Sequence, residues 1–188
     1  MLFPVFLKLE GRRVLVVGGG TVAAAKIAGL LAAGAIVDVV APEVRAEIAG
    51  LNVHIERREF RDSDVEGAWY VVAAAPPDVN RAVLSAGEAR RVFVNAVDDP
   101  HHASAYAGGV VRREGVTIAI STDGRAPALA GLLREAVDAW LPAELDEWMK
   151  AADAARRTWK SQGVPMEERR PQLLQVLNEL YDRKTTPN

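Results

Sequence analysis

Hydrophobic residues in the first hundred positions form short uninterrupted runs, separated by turns that contain glycine or proline. The first run, residues 14–17, ends at Gly18, and apolar residues at helical spacing then lead to the second run, residues 35–40. Such runs are typical of parallel strands that are buried on both faces. Alternating strands and helices predict an α/β protein with a doubly wound parallel sheet. Further strands are predicted at 53–55, 69–73 and 92–95, and further helices at 42–50 and 78–90.

The pattern changes after residue 108. Residues 109–113 and 116–120 flank a Glu-Gly pair, which predicts a β-hairpin, and we expect this hairpin to extend the edge of the sheet. A helix is predicted from Pro127 to residue 141, because its apolar residues recur at the i, i+3, i+4, i+7 spacing. Two more apolar helical stripes begin near Leu145 and Leu173.

These three helices carry more apolar surface than so small a sheet can cover. We therefore expect a small helical region at the C-terminal end and a homodimer. The stripe formed by Trp140, Trp148 and Trp159 is interpreted as core. The predicted domains are residues 1–107, a ligand-binding α/β domain; 108–142, a hairpin with a dimerisation helix; and 143–188, a helical region.

Composition and charge exclude several classes of protein. The chain has 188 residues, 49% of them hydrophobic, and its net charge of −2 provides no overall field for nucleic acid or an anionic membrane. It contains no cysteine, which excludes disulfides and thiolate metal sites. The N-terminus lacks the pattern of a signal peptide, and no segment has about twenty consecutive apolar residues. We expect a cytoplasmic protein that binds no membrane.

The turn after the first strand carries a nucleotide-binding pattern. It reads G-x-G-x-x-A between a strand and a helix, where the first glycine permits the turn, the second lets a pyrophosphate approach, and the alanine lets the helix pack closely. This motif predicts NAD as the cofactor in a Rossmann-like domain, the alternative being a glycine-rich turn without a ligand. The predicted contacts are Gly18, Gly19, Gly20, Thr21, Val22 and Ala23.

Other strand ends should complete the cofactor site, because ligands of doubly wound sheets bind at the carboxyl ends of the strands. The carboxylate that usually grips the adenosine ribose is absent, and Glu43 is its nearest substitute. Arg45 lies close enough to keep NADP open as an alternative. The predicted contacts from these strand ends are Ala41, Pro42, Glu43, Ala74, Ala75 and Asn95.

Titratable residues are densest between Asn95 and His102. We predict that Asp98 acts as a general base, with burial and the neighbouring Asp99 raising the pKa of its carboxyl group. The alternative is a turn in which the aspartates cap backbone amides. His101 and His102 lack the spacing of further ligands, so no metal site is predicted.

Four segments together resemble the precorrin-2 dehydrogenase family, the amino-terminal module of sirohaem synthases: residues 4–9, 16–20, 95–98 and 121–127. The resemblance extends from residue 2 to about residue 145. It implies a homodimer that oxidises precorrin-2 to sirohydrochlorin with NAD, and some members of the family also insert ferrous iron to give sirohaem. Asp98 falls on the family's essential aspartate. A silent NAD(H)-binding redox sensor and a chelatase that lacks dehydrogenase activity are the alternative functions.

The implied substrate carries many carboxylates, so it requires a positive rim. Arg125, at the start of the helix predicted from Pro127, is the first candidate, because the helix dipole and the guanidinium would act together. Arg113, beside the hairpin turn, is a second candidate. Thr122 replaces a serine of the family and keeps its hydroxyl, whereas Ala126 replaces the family's helix-capping serine.

Overall fold

The computed structural model describes residues 2–185. It contains a five-stranded parallel sheet and a separate two-stranded sheet. The strands are β1 Arg13–Val17, β2 Ile36–Val40, β3 His54–Glu56, β4 Tyr70–Ala73, β5 Phe93–Ala96, β6 Gly109–Arg113 and β7 Val116–Ile120. The helices are α1 Thr21–Ala32, α2 Ala46–Ala49, α3 Pro77–Ala89, α4 Pro127–Trp140, α5 Leu145–Gln162 and α6 Met166–Thr185. Short 3₁₀ turns lie at Asp62–Val65 and Pro100–His102.

The large sheet has the strand order β3-β2-β1-β4-β5, with every neighbouring pair parallel. The order reverses direction at β1, which pairs with β2 on one side and β4 on the other. Val17 at the end of β1 lies beside Val40 and Ala73, the last residues of its two neighbours. The predicted doubly wound sheet is confirmed. The carboxyl ends of its strands lie side by side at the reversal of strand order, where ligands of such sheets bind.

Two hydrophobic clusters cover the two faces of this sheet, because alternate residues of each strand point to opposite faces. Val16 of β1 packs in one cluster with Ile27 of α1 and Ile48 of α2. Leu15 packs in the other cluster with Val83 of α3. Both faces of the sheet are therefore buried, and the one charged residue in each of β1 and β2 pairs with the other, Arg13 Nε donating to Asp38 Oδ2 at 2.6 Å.

Local sequence signals account for most helix boundaries. Gly34 has a φ of +74°, and the Ala35 amide donates to the Leu30 carbonyl, which completes the expected left-handed cap of α1. α4 begins at Pro127, as predicted. The helix predicted at 42–50 is shorter and begins at Ala46, because the Arg45 amide donates to the Gly19 carbonyl and draws the preceding residues onto the glycine turn.

The hairpin forms as predicted, but its expected place at the sheet edge is wrong. β6 and β7 pair antiparallel in a sheet of their own. The outer edge of β5 is already paired, since the Val94 amide donates to Ser104 Oγ at 2.9 Å. The amides of Ser104 and Ala105 also donate to the Val94 carbonyl, at 2.8 and 2.9 Å. The amide and carbonyl of Val94 on this edge are therefore not available to another strand.

The chain divides into two compact units. The first contains residues 2–107 and 121–126, and the second contains 108–120 and 127–185. The three functional regions expected from the sequence stay a prediction, and residues 186–188 of the predicted C-terminal region lie outside the described residues. None of the described helices is long and apolar enough to cross a bilayer.

The second unit leaves much of its apolar surface exposed. In α4 the buried residue is Ala130, whereas the side chains of Leu129, Leu132 and Leu133 are exposed. Trp140 is 79% exposed, so its predicted place in the core is wrong. The cause is its position at the last residue of α4, on the stripe that the single chain leaves uncovered.

Candidate active site

Gly18 lets the turn after β1 pass directly beside the turn after β4. Its φ is +120°, and a Cβ atom at this position would lie 2.2 Å from the Ala74 carbonyl oxygen. Any side chain would therefore clash with backbone as well as occupy a conformation that glycine tolerates best. The predicted contacts at Gly18 and Ala74 thus lie together.

Gly19 makes an equally close approach to the turn after β2. A Cβ atom there would lie 2.1 Å from the Glu43 carbonyl oxygen, and the Arg45 amide donates to the Gly19 carbonyl at 3.0 Å. The ends of β1, β2 and β4 consequently converge on the glycine turn. The sequence predicted these three segments as one site, and the structure brings them together.

Gly20 faces open space, in contrast to its two neighbours. A Cβ atom at Gly20 would meet nothing within 4 Å. α1 starts at Thr21, and its first backbone hydrogen bond runs from the Ala24 amide to the Gly20 carbonyl. The amides of Thr21, Val22 and Ala23 therefore have no acceptor within the helix. The first turn of α1 also contains no acidic residue. Open space, free donors and the positive end of the helix dipole fit a diphosphate group.

The turn after β2 presents one carboxylate beside this opening. Ala41 is buried, whereas Pro42 and Glu43 are exposed. Among the side chains that the structure describes, the Glu43 carboxylate has no hydrogen bond or ion pair, while Arg45 Nε donates to Glu47 Oε1 at 3.0 Å. Glu43 is therefore free to accept from hydroxyl groups, and Arg45 is already partnered.

Asn95 carries an unsatisfied buried oxygen. The residue is 5% exposed, and its Nδ2 donates to the Ala105 carbonyl at 3.1 Å, which fixes the orientation of the amide. Among the described residues, its Oδ1 is the one buried side-chain polar atom that lacks a hydrogen-bond partner. A buried acceptor without a donor costs about 1–3 kcal/mol. A ligand amide would supply such a donor, so Asn95 fits a nicotinamide-binding role.

Asp98 lies in the turn directly after β5. The Val97 amide continues the sheet by donating to the Ala73 carbonyl at 2.9 Å, and Asp98 then adopts a left-handed conformation with a φ of 57°. Its side chain is exposed, so the burial expected from the sequence is wrong. The left-handed turn causes this exposure by ending the extended backbone of β5. Asp98 is thereby presented at the carboxyl end of the sheet, where it can reach a ligand.

Asp99 differs from Asp98 in having a partner. Its Oδ2 lies 2.7 Å from His102 Nδ1, across the 3₁₀ turn Pro100–His102. The hydrogen bond from His102 is the largest cause that lowers the pKa of the Asp99 carboxyl group below its ordinary value. Sequence reasoning missed this pair, although the three-residue spacing around Pro100 could have indicated it.

The segment 121–126 packs against the Asp98 turn. A Cβ atom on Gly124 would lie 3.0 Å from Pro100 Cβ and 3.2 Å from Tyr106 Cε1. Thr122 Oγ1 accepts from the Ala126 amide at 3.2 Å and so closes the segment before α4 begins. Arg125 is exposed, and its guanidinium has no hydrogen bond or ion pair within the described part of the chain. Thr122 and Arg125 thus belong to the same unit as Asp98.

Arg113 binds groups at the end of α4 in the second unit. Its Nη2 donates to the carbonyl and to the Oδ1 of Asp138, both at 2.7 Å, and its Nη1 donates to the Leu141 carbonyl at 3.1 Å. These acceptors lie at the C-terminal end of α4, where a cation is favoured by the helix dipole. Two of its three nitrogens are occupied in this way.

Comparisons with known proteins agree with this geometry. A family model described as "Putative NAD(P)-binding" matches residues 5–109. The chain belongs to this NAD(P)-binding family. The prediction of a nicotinamide dinucleotide as cofactor is thereby confirmed, and the matched segment contains the glycine turn and Asp98.

Relatives of this family member include two proteins named siroheme synthase. The protein of Photorhabdus laumondii is 39% identical over 181 residues, and siroheme synthase 3 of Aeromonas hydrophila is 41% identical over 172 residues. These matches cover 93% and 89% of the chain but 38% and 37% of the relatives, so the chain spans less than half of their length. The solved structure of SirC, a precorrin-2 dehydrogenase, matches 93% of this chain and 89% of its own with a TM-score of 0.70 and 26% identity. The resemblance stated from the sequence is confirmed.

Proposed function

We propose that the protein oxidises precorrin-2 to sirohydrochlorin with NAD. The observation that carries this proposal is the structural match to SirC, because it extends over nearly the whole of both chains. The named siroheme synthases support the same tetrapyrrole chemistry, although they are more than twice as long as the matched segment.

The reaction removes a hydride and a proton from the substrate, and NAD, when bound, supplies the hydride acceptor. The chain's own residues would bind the cofactor, orient it and accept the proton. The amides of Thr21, Val22 and Ala23 would bind the diphosphate, and Asn95 Oδ1 would accept a hydrogen bond from the carboxamide. The Asp98 carboxylate would take the proton as its general base.

The segment 121–126 would hold the carboxylates of the substrate. Arg125 offers an unpaired guanidinium, and charge-assisted hydrogen bonds of this kind are stronger than neutral ones. Thr122 would contribute to the shape of the same segment through its bond to Ala126. We do not assign Arg113 to the substrate, because its guanidinium stabilises the end of α4.

The preference for NAD over NADP rests on the turn after β2. Glu43 presents an unpaired carboxylate beside the glycine turn, where it would accept from the ribose hydroxyls of NAD and repel the 2′-phosphate of NADP. Arg45, the residue that would favour NADP, is paired with Glu47.

We further propose a cytoplasmic homodimer. The exposed apolar residues of α4, above all Leu132 and Trp140, support association with a second copy, because isolated proteins rarely leave such stripes uncovered. The absence of cysteine from the chain fits a reducing compartment.

The direct test is an anaerobic assay with purified protein, NAD and freshly generated precorrin-2. We expect NADH and sirohydrochlorin, each measured by its absorption spectrum, to form in equal amounts. The reaction should be much slower when NADP replaces NAD. Ferrous ion added after completion tests whether iron is inserted. Tight NAD binding without any oxidation would contradict the proposal and favour the redox-sensor alternative.

A further inference from the structure

The start of α3 contacts both the turn after β4 and the segment after β5. Asn80, in the first turns of α3, is 2% exposed, and its Oδ1 accepts from the Ala75 amide at 3.2 Å. Its side chain also helps to lower the pKa of the Asp99 carboxyl group, and the next residue of α3, Arg81, contacts His102 in the 3₁₀ turn that follows Asp99. The start of α3 therefore contacts the turn after β4 through Asn80 and the 3₁₀ turn after β5 through Arg81.

The connection continues from Asp99 to the surface. Asp99 Oδ2 accepts from His102 Nδ1 at 2.7 Å, and the His102 amide donates to the Asp99 carbonyl at 3.1 Å. Arg81 Nε lies 3.4 Å from His102 Nε2 on the other side of the ring. Asp99 is thus held by its own side chain, by its own backbone and by α3.

The contact with Arg81 determines which ring nitrogen of His102 carries the proton. Arginine is only a donor, so Nε2 must be the acceptor in that contact. The proton of the neutral ring then lies on Nδ1, where it is donated to Asp99. Both charged neighbours consequently favour the same tautomer, and the ring has one preferred orientation.

The Asp98 side chain is not held by interactions of its own. It adopts a left-handed φ of 57°, and within the described residues its carboxylate has no hydrogen bond or ion pair. Its position is set by the residues on either side, Val97, whose amide is bonded to β4, and Asp99. A displacement of Asp99 would therefore move the Asp98 carboxylate.

We infer that Asn80, Asp99 and His102 form a positioning network that fixes Asp98 relative to the cofactor-binding turn at Ala75. The inference rests on the proposed function for the role of Asp98 as the base. None of the three residues needs to touch the substrate. They act by keeping the proton acceptor at a fixed distance from the cofactor, and a misplacement of about 1 Å can cost up to about 100-fold in rate.

The test compares His102→Ala, Asp99→Ala and His102→Asn in the full-length protein. We expect both alanine variants to lower kcat about 10- to 100-fold, while the Kd of NAD stays within about twofold. Asparagine can place its Nδ2 where histidine has Nδ1, so His102→Asn should restore most of the lost rate. The alanine double variant should be no slower than the slower single variant, because both residues act through one network. His101→Ala, at the exposed neighbouring position, is the matched control.

Two results would overturn the inference. One is a kcat within twofold of the original protein in both alanine variants. The other is an equal loss in His102→Ala and His102→Asn, which would show that the hydrogen bond is not what matters.

Failure of the proposed function gives a different result. If the unaltered protein binds NAD but does not oxidise precorrin-2, the proposed function is wrong, and the network is then judged by amide hydrogen exchange in residues 97–104 of the NAD complex. Faster exchange in His102→Ala than in His102→Asn would support the network. Equal exchange in the two variants would refute it.

Discussion

The large sheet of the first unit and helix α4 of the second unit use their apolar residues in opposite ways. In the first unit, Leu15, Val16 and their neighbours are fully buried between helices on both faces of the sheet. In the second unit, α4 buries Ala130 and exposes Leu132 and Trp140. The sheet is therefore covered by its own helices, whereas α4 leaves an apolar surface uncovered.

The polar chemistry is distributed in the same unequal manner. The glycine turn, Asn95, Asp98 and Arg125 all belong to the first unit. Arg113, the one candidate from the second unit, supports the end of a helix. Substitutions in the first unit should therefore change binding or turnover without changing association, and substitutions in α4 should do the reverse.

The largest effect is expected from Asp98→Asn. The loss of a general base predicts a fall in kcat of about 10²–10⁴-fold with little change in the Kd of NAD. Asparagine tolerates the left-handed conformation of this position, so the backbone should be retained. Steady-state kinetics measures the fall.

Asp99→Asn is the matched control for that variant. It keeps one acceptor for His102, and we expect a loss of less than about tenfold. Similar losses in the two variants, or an unfolded Asp98→Asn protein, would favour a turn-capping role for both aspartates over catalysis by Asp98.

The second largest effect is expected from Gly20→Asp. Gly20 has ordinary extended backbone angles and open space, so the fold should accept a side chain. The new carboxylate would occupy the diphosphate position and repel it, weakening NAD binding at least about 100-fold, a loss of roughly 2.7 kcal/mol. Calorimetric titration measures the affinity, and circular dichroism checks the fold.

Gly20→Asn separates size from charge at the same position. It should weaken NAD binding less than Gly20→Asp does. Unchanged affinity in both variants would remove the cofactor from this turn.

A smaller effect is expected on association. Leu132→Glu combined with Trp140→Glu should convert a dimer of about twice 20.3 kDa into a monomer at micromolar concentration, because charges would replace apolar residues at the proposed interface. Sedimentation measures the mass. Leu51→Glu, a substitution of an exposed leucine in the first unit, should leave the dimer intact. A monomeric unaltered protein would refute the proposed interface.

The smallest effect concerns acid stability. The folded pKa of Asp99 lies below its ordinary value of 3.8, mainly because of the hydrogen bond from His102. Its stabilising contribution is therefore fully present above pH 3.8 and is lost as the pH falls through the folded pKa. Asp99→Asn should reduce the acid dependence of the free energy of unfolding, measured by denaturant titration. Identical pH profiles would show that the hydrogen bond between His102 and Asp99 does not stabilise the fold.

Much of the candidate site could be predicted because many of its residues are close together in the sequence. The glycine turn, the strand before it and the helix after it occupy one continuous segment, so spacing alone indicated a nucleotide-binding turn. The pairing of Asp99 with His102 depends on a 3₁₀ turn and on contacts with α3. The orphaned oxygen of Asn95 depends on the distant Ala105. Such contacts leave little trace in local periodicity.

The strands, their parallel arrangement and the glycine turn could all be predicted from the sequence, because each follows from local hydrophobic pattern and backbone freedom. Three other features depend on contacts between residues that are distant in the sequence or on which surfaces the folded chain covers. Ser104 and Ala105 bind the edge of β5, so the hairpin forms a sheet of its own. The left-handed turn exposes Asp98, and Trp140 at the end of α4 stays exposed. Each of these depends on which distant groups already satisfy a hydrogen bond or cover an apolar surface, and only the folded chain brings those groups together.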